Sequence, residues 1–287
     1  MKIGVLCSGN LGMKVLEQLF NEFSIAFVLT DSKSEGILAF CYKHALPVFK
    51  GNPRNGNSRS FLHGKECEVL LSVNYLFLVD QDLIDFPKKY AINIHGSLLP
   101  KYRGRTPHVW AIINNEKKTG ITAHLIDIEC DAGALIEQVE VEIEQSDTGA
   151  SILQKYEILY WPLIQKTLRK IQEKDLITTP QNHTKATYFG KRTPDDGKID
   201  WSWQKERIFN WVRAQAHPYP GAFTYLNGEK LIIDSISFTD DGFNDEIPNG
   251  QIMSFHPLKV KTPNGVIKIE KYRGELEINQ QTKIVLG

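Results

Sequence analysis

The chain has 287 residues, of which 41% are hydrophobic and 10% aromatic, and its 34 Lys and Arg balance 34 Asp and Glu. This composition supports two folded domains and excludes a mainly disordered chain. The lack of a basic excess argues against binding of nucleic acid through its phosphates, so we expect any anionic partner to be small.

The beginning of the chain and its cysteines indicate a reducing compartment. Met1 leads directly into an apolar strand, and no run approaches the ~18 apolar residues that a membrane span needs. The four cysteines form no Cys-x-x-Cys pair, which disfavours a zinc ribbon, a redox motif or a disulfide scaffold. We therefore expect a cytoplasmic protein with no membrane attachment, four buried or half-buried thiols and no metal.

The first part of the chain alternates strand and helix patterns. An apolar strand over 2–7 precedes apolar residues at helical spacing in MKVLEQLF, and a second strand follows at 25–29. Further strands are predicted over 67–73, 91–96 and 122–127, an edge strand over 134–143, and helices over 108–114 and 150–174. This alternation predicts an α/β fold, a Rossmann-like and mostly parallel sheet.

The composition changes after this helix. Residues 179–205 are polar, with Pro and Gly, and are predicted to be an ordered linker between a domain over 1–178 and a module over 206–287. A short helix is predicted over 204–215, followed by strands over 222–226, 230–238, 250–262, 266–273 and 283–287, with Asn-Gly turns between them. The second module is therefore predicted to be a small antiparallel β structure, similar to an OB fold.

The glycines of the first loop have two interpretations. Gly4, Gly9 and Gly12, with Asp31 about 20 residues further on, partly match a dinucleotide-binding motif. Cys7 stands where the first glycine of that motif is needed. The spacing therefore favours a tight turn from strand to helix with close packing.

The segment NIHGSLLPKYRGRTPHVW, 93–110, contains the residues most suited to chemistry. Asn93 and His95 lie two residues apart on a predicted strand and so face the same side. An amide can donate a hydrogen bond to a developing oxyanion, and an imidazole can move a proton near neutral pH. Taken alone, such a pair is more often structural than catalytic.

A longer pattern changes that balance. Asn-x-His is followed by Ser-Leu-Leu-Pro, by Arg103-Gly104, and later by Asp131-Ala132-Gly133. In this order the pieces resemble the folate-dependent formyltransferase family. The segments YFGKRTPDDGKIDW and VRAQAHPYPGAFTY are similar to that family's linker and early C-terminal module, so the resemblance covers most of the chain and thins after about Asp240.

The resemblance implies a reaction and its residues. A formyl group would pass from 10-formyltetrahydrofolate to an amine, with Asn93 binding the oxyanion, His95 moving the proton and Asp131 orienting the imidazole. The folate would lie in a cleft between residues 72–79 and 126–131, and Leu99–Pro100 is a candidate cis bond. The residues expected to contact folate are Asn74, Tyr75, Ser97, Leu98, Leu99 and Asp127.

Three acceptor amines are open within the family: a glycinamide ribotide, initiator methionyl-tRNA, and an amino sugar linked to a nucleotide. The first group usually lacks a C-terminal module. Residues 206–287 contain nine Lys or Arg and ten Asp or Glu, which does not favour an RNA surface. The form Arg105-Thr-Pro-His-Val-Trp110 resembles the formyltransferase domain of the polymyxin-resistance enzyme and related nucleotide-sugar N-formyltransferases.

We therefore expect a nucleotide-linked amino sugar, used in surface polysaccharide or nonulosonic acid synthesis, as the acceptor. Methionyl-tRNA formyltransferase is the alternative, and a binding or sensor protein without turnover is a third possibility. Relatives are often dimers, so a homodimer is possible here. The residues expected to contact the nucleotide sugar are Lys101, Tyr102, Arg103, Arg105, Tyr188, Phe189, Lys191 and Arg192.

Overall fold

The computed structural model describes residues 1–274 and 284–287 and divides into two compact units. The first unit consists of Met1–Gly104, Gly120–Val141 and Lys155–Phe189, and the second of Arg105–Thr119, Glu142–Gln154 and Gly190–Gly287. The predicted domain boundaries at 178 and 205 remain a prediction.

Regular elements follow each other closely along the chain. The helices are α1 (Gly9–Glu22), α2 (Glu35–Lys43), α3 (Arg59–Leu62), α4 (Gln81–Ile84), α5 (Pro107–Ile113), α6 (Gly149–Gln172) and α7 (Lys205–Ala214). The strands up to residue 189 are β1 (Lys2–Cys7), β2 (Ser24–Thr30), β3 (Val48–Lys50), β4 (Val69–Val73), β5 (Tyr90–His95), β6 (Arg103–Gly104), β7 (Lys118–Leu125), β8 (Leu135–Glu142) and β9 (Tyr188–Phe189).

A seven-stranded sheet forms the centre of the first unit. Its order is β3-β2-β1-β4-β5-β7-β8, whereas β6 and β9 form a separate two-stranded sheet. The pairs of β1 with β2 and β4, of β2 with β3, and of β4 with β5 are parallel, and β5 pairs antiparallel with β7. Strand β4 is buried throughout, as expected for a parallel strand covered on both faces. The predicted Rossmann-like sheet is confirmed.

The first loop has the geometry of a tight turn. Gly9 has φ +62°, a left-handed conformation that favours glycine. A Cβ added to Gly12 would lie 3.0 Å from the Cβ of Cys7, so the helix packs closely on the end of β1. This geometry agrees with the tight-turn interpretation.

The second unit contains an antiparallel sheet. Its strands are β10 (Ala222–Leu226), β11 (Glu229–Phe238), β12 (Ile252–Phe255), β13 (Leu258–Thr262) and β14 (Gly265–Arg273), in the order β10-β11-β14-β13-β12. Asn227 and Gly228, both with positive φ, form the two-residue turn between β10 and β11. Trp201, Ile208 and Ile233 belong to the buried core of this unit. The predicted antiparallel C-terminal fold is confirmed.

Several boundaries differ from the predictions. The strand predicted over 250–262 is two strands, because the proline of the intervening His256-Pro257 turn has no N–H to donate to a ladder. Helix α2 and strand β3 were not predicted. The strand predicted over 283–287 begins at Lys283, which lies outside the described residues; of the remainder, Val285 forms a single bridge with Gln251.

The cysteines only partly follow expectation. Cys7, Cys41 and Cys67 are buried, whereas Cys130 is exposed because it lies in the loop between β7 and β8. Among the helices of the described ranges, none is both long and apolar enough to cross a bilayer.

Candidate active site

Two neighbouring strands bring Asn93 and His124 together. Strand β5 carries Asn93 and His95, and the antiparallel register with β7 places Asn93 opposite His124. The Nδ2 atom of Asn93 lies 3.1 Å from Nε2 of His124. His124 was not among the predicted site residues.

The protonation of His124 follows from its surroundings. Its Nδ1 lies 2.8 Å from the Leu125 carbonyl oxygen, which can only accept, so Nδ1 carries the hydrogen. Burial lowers the pKa of His124 to about 4, and the ring is therefore neutral at neutral pH. Its Nε2 must then accept a hydrogen bond, and this fixes the amide nitrogen of Asn93 toward the ring.

The imidazole of His95 lies between two acceptors. Its Nε2 is 2.8 Å from the carbonyl oxygen of Tyr102, and its Nδ1 is 3.5 Å from Oδ2 of Asp131. The second distance exceeds that of a good hydrogen bond, and such contacts often tighten only when substrate is bound. The ring is buried, with 7% of its side chain exposed.

Asp131 is held in place through its carboxylate. Oδ2 accepts the Gly104 N–H at 2.8 Å and the Cys130 thiol at 3.3 Å, and Oδ1 lies 3.7 Å from Nε2 of His124. Burial raises the pKa of this carboxyl, but the interactions with His95 and the Gly104 N–H outweigh it, so the net effect lowers the pKa. Asp131 is therefore an anion at neutral pH.

Close packing explains why a glycine, Gly133, stands two residues after Asp131. A Cβ added to Gly133 would lie 1.9 Å from the carbonyl oxygen of Leu125. No side chain fits there, so the Asp-x-Gly pattern reflects close contact of this loop with the end of β7.

The three residues predicted to be catalytic therefore lie together, and His124 contacts two of them, Asn93 and Asp131. A fixed amide can donate to an oxyanion, and an imidazole beside a carboxylate can take up and release a proton. Among the described residues, no group of three or more His, Cys, Asp or Glu is arranged to hold a metal ion.

The predicted folate-binding loop after β5 is tightly fixed. The Leu99–Pro100 bond is cis, as predicted. Ser97 donates to the carbonyl of Lys101 at 2.7 Å, and its own carbonyl accepts the Thr122 hydroxyl at 2.6 Å. Leu99 is buried and Leu98 half-buried. These hydrogen bonds and the burial of the leucines fix the conformation of the loop.

The other predicted folate residues lie on two loops. Asn74 has φ +52° and donates from Nδ2 to the Ser8 carbonyl at 2.9 Å, and Asp127 accepts the Glu129 N–H within its own loop at 3.1 Å. The Tyr75 hydroxyl is buried with no hydrogen-bond partner in the described part of the chain, and burial raises its pKa. Their contacts to folate remain predictions.

The residues predicted for the nucleotide sugar divide between the units. In the first, Tyr102 stacks on Phe189 with ring centroids 5.0 Å apart, Arg103 is fully buried, and Lys101 and Tyr188 are exposed. These aromatic residues belong to β6, β9 and their flanks, which links the loop after β5 to the segment after α6.

In the second unit, the guanidinium of Arg192 contacts other residues of the protein. Its guanidinium lies 5.0 Å from the ring centroid of Trp110 and 4.4 Å from that of Trp211, and it donates to the Asp196 carbonyl at 2.7 Å. Arg105 and Lys191 are exposed, and their phosphate contacts stay predictions.

Comparisons with known proteins identify the family. The family model described as formyl transferase matches residues 23–159, and that described as formyl transferase, C-terminal domain, matches residues 191–281. Together they match most of the chain. The protein therefore belongs to the formyl transferase family.

One curated relative is similar to this chain over most of its length. The chain is 34% identical over 277 residues to the bifunctional polymyxin resistance protein ArnA of Wigglesworthia glossinidia brevipalpis, covering 93% of this chain but 40% of that protein. The chain thus spans less than half the length of this relative.

Two solved structures share the fold. The N-formyltransferase from Helicobacter canadensis, in complex with folinic acid and dTDP-3-aminofucose, superposes with a TM-score of 0.72 at 22% identity, covering 95% of this chain and 100% of that one. WlaRD, a sugar 3N-formyl transferase with dTDP and 5-N-formyl-THF, has a TM-score of 0.67 at 20% identity, covering 94% of this chain and 98% of that one.

Proposed function

We propose that this chain transfers the formyl group of 10-formyltetrahydrofolate to the primary amine of a nucleotide-linked amino sugar. The observation that carries the proposal is the convergence of Asn93, His95 and Asp131 in one partly enclosed cluster. The names of the relatives support the donor and acceptor classes.

Asn93 is proposed to bind the oxyanion. One N–H of its amide is held by Nε2 of His124 at 3.1 Å, which leaves the other N–H for the formyl oxygen as the amine attacks. A donor fixed before the reaction contributes ~3 kcal/mol to lowering such a barrier. His124 acts here through Asn93.

His95 is proposed to move the proton. The attacking amine must lose a proton, and the folate nitrogen must gain one as its bond to the formyl carbon breaks. Because the two ring nitrogens face the Tyr102 carbonyl and Asp131, the imidazole has to release one of these acceptors to reach the substrate. The Asp131 carboxylate stabilises the charged ring.

The folate is proposed to bind at the two loops predicted for it. The donor supplies an activated formyl carbon. Leu76 and Leu78 on one loop and Ile128 on the other are 40%, 55% and 65% exposed, and provide apolar surface for an aromatic ring system. Asn74, Tyr75, Asp127 and the loop over 97–99 are proposed to bind it.

The acceptor end is proposed to lie near Tyr188. Its ring is 59% exposed on β9, in a position suited to stacking, and the exposed Lys101 supplies a cation for the diphosphate. We further propose a cytoplasmic role in surface polysaccharide or nonulosonic acid synthesis. The proposed organisation is a catalytic domain over 1–178, a linker over 179–205 and a module over 206–287. The proposed assembly is a homodimer.

The direct test is incubation with 10-formyltetrahydrofolate and a panel of 3-amino and 4-amino sugars linked to UDP, dTDP or GDP. Mass spectrometry should show one added formyl group on one of these sugars, and the Asn93→Ala variant should form this product on the order of 10²- to 10³-fold more slowly. Formylation of methionyl-tRNA while every sugar stays unmodified would overturn the proposal.

A further inference from the structure

Gln181 lies in the segment after α6 and was not among the predicted site residues. Its side chain is buried, with 5% exposed. The amide nitrogen donates to the carbonyl oxygens of Asp131 at 2.8 Å and Gly133 at 2.7 Å. The amide oxygen accepts from Nε and Nη2 of Arg103 at 3.2 and 2.6 Å. The full hydrogen-bonding capacity of the amide is used.

The backbone that Gln181 contacts is strained. Asp131 has φ +54°, a left-handed conformation that non-glycine residues rarely adopt and that persists only where the surroundings hold it. The Gln181 amide nitrogen donates to two carbonyl oxygens of this turn, those of Asp131 and Gly133, and so holds both ends of it. The direction of the Asp131 carboxylate toward His95 depends on that turn.

Arg103 determines which way the Gln181 amide points. A guanidinium only donates hydrogen bonds, so the amide oxygen must face it and the amide nitrogen must face the Asp131 loop. Arg103 is fully buried, and its Nη1 and Nη2 also donate to the Tyr188 hydroxyl and His183 Nδ1, respectively. Among the described residues, no carboxylate lies within ion-pair distance of it, so hydrogen bonds to neutral acceptors stabilise its charge in place of an ion pair.

We propose that Gln181, oriented by Arg103, is a positioning residue that holds the Asp131 turn in the geometry needed for formyl transfer. This rests on the proposed function. Gln181 touches no reacting atom, and its effect passes through the direction of the Asp131 carboxylate. A buried cation of β6, Arg103, thereby acts through Gln181 on the direction of the carboxylate that faces His95.

The variant Gln181→Glu separates the two halves of the contact. The carboxylate keeps an acceptor for Arg103 but replaces the N–H donors to Asp131 and Gly133 by an oxygen facing their carbonyls. We expect kcat to fall roughly ten- to hundredfold, as for a misplacement of catalytic groups by about 1 Å. The KM values of donor and acceptor should stay near those of the wild type, and the pH dependence of kcat should change because His95 loses its oriented partner.

Gln181→Met is the second variant, since it has a similar length and places no like-charged oxygen against the carbonyls. Gln165→Glu is the matched control, because it makes the same chemical change on a side chain whose amide donates to Glu22 and not to the Asp131 turn. Thermal unfolding of all three variants shows whether they are folded. Folded Gln181 variants with wild-type kcat and pH profile would overturn the proposal.

A readout without substrate separates this proposal from the proposed function. NMR spectra of the histidine rings at one fixed pH should show that both Gln181 variants move the ring signals of His95 and that Gln165→Glu leaves them unchanged. An unchanged His95 signal in the folded Gln181 variants counts against the positioning role, whichever amine the enzyme formylates. Failure of all sugars to react, with moved His95 ring signals, contradicts only the proposed function.

Discussion

Asn93 and His124 face each other across the antiparallel pair of β5 and β7, with 3.1 Å between the amide nitrogen and Nε2 of the ring. Because burial keeps the ring neutral and its single N–H is given to Leu125, the remaining nitrogen can only accept. The orientation of the Asn93 amide is therefore determined by the protonation state of a neighbouring histidine.

Replacing His124 by phenylalanine should lower kcat by roughly tenfold, since the amide of Asn93 remains but is no longer oriented. Asn93→Ala should cost more, on the order of 10²- to 10³-fold. Steady-state kinetics of both single variants and of the double variant measure the coupling. If His124 acts through Asn93, the double variant is no slower than Asn93→Ala; multiplied losses would mean that His124 acts separately.

Asp131→Asn should reduce kcat by on the order of 10²- to 10⁴-fold. The amide keeps the shape and can still accept the Gly104 N–H, but it removes the charge that faces His95. Because the pKa of Asp131 lies below its ordinary value, the wild-type carboxylate stays ionised between pH about 5 and about 8. Its contribution to stability is present above the unfolded-state pKa and is lost as pH falls through the folded-state pKa.

Measuring the pH dependence of kcat for the wild type and for Asp131→Asn tests this prediction. The wild-type profile should show no loss from Asp131 protonation in that range. Retention of wild-type kcat by Asp131→Asn contradicts a catalytic role for the charge.

Part of the site can be predicted from sequence because its signals are local. Asn93 and His95 are two residues apart on one strand, and Asp131 belongs to a three-residue motif. His124 is different, because it is 31 residues from Asn93 in the sequence, and its position opposite Asn93 depends on the antiparallel register of two strands. A single sequence contains no record of that register.

The burial of Arg103 also depends on residues that are distant in the sequence. Three cations in one loop predict a phosphate contact, and the partners that bury this guanidinium lie 78 to 85 residues away. In the fold, apolar runs predicted the sheet strands, because a parallel strand covered on both faces needs them. The short elements α2 and β3 were missed because their signals are weak.

Gly133→Ala should destabilise the protein and reduce activity, because the new Cβ would lie 1.9 Å from the Leu125 carbonyl and the loop carrying Asp131 would have to move. Gly36→Ala is the matched control: it has no atom within 4 Å of the added Cβ and lies within α2. Glycine-to-alanine changes inside helices stabilise by roughly 0.5–1 kcal/mol. Thermal unfolding and kcat of both variants are the measurements, and equal effects would contradict the steric explanation.

Alkylation with N-ethylmaleimide should inactivate the enzyme through Cys130. This thiol is exposed, whereas Cys7, Cys41 and Cys67 are buried. It donates to Oδ2 of Asp131 at 3.3 Å, so a bulky group on the sulfur displaces the carboxylate or blocks its neighbourhood. Cys130→Ser keeps a donor and should retain most activity while resisting the reagent. Inactivation of Cys130→Ser at the wild-type rate would assign the effect to another group.

The second unit should lose stability in mild acid because of His108. This ring is buried beside Tyr219, with 2.8 Å between Nε2 and the hydroxyl oxygen, and burial lowers its pKa from 6.5 to about 4. Between these values the unfolded chain takes up a proton that the folded chain does not, so stability falls as pH decreases. By pH about 5 the loss reaches roughly 2 kcal/mol.

His108→Gln removes this titration and can still hydrogen-bond to Tyr219. Urea unfolding followed by tryptophan fluorescence reports on the second unit, which contains four of the five tryptophans. Between pH about 7 and about 5 the variant should lose roughly 2 kcal/mol less than the wild type. Because His124 lies in the first unit and has a similarly lowered pKa, a His124→Phe variant should leave the loss in the second unit unchanged. An equal acid sensitivity of His108→Gln and wild type would show that another group causes it.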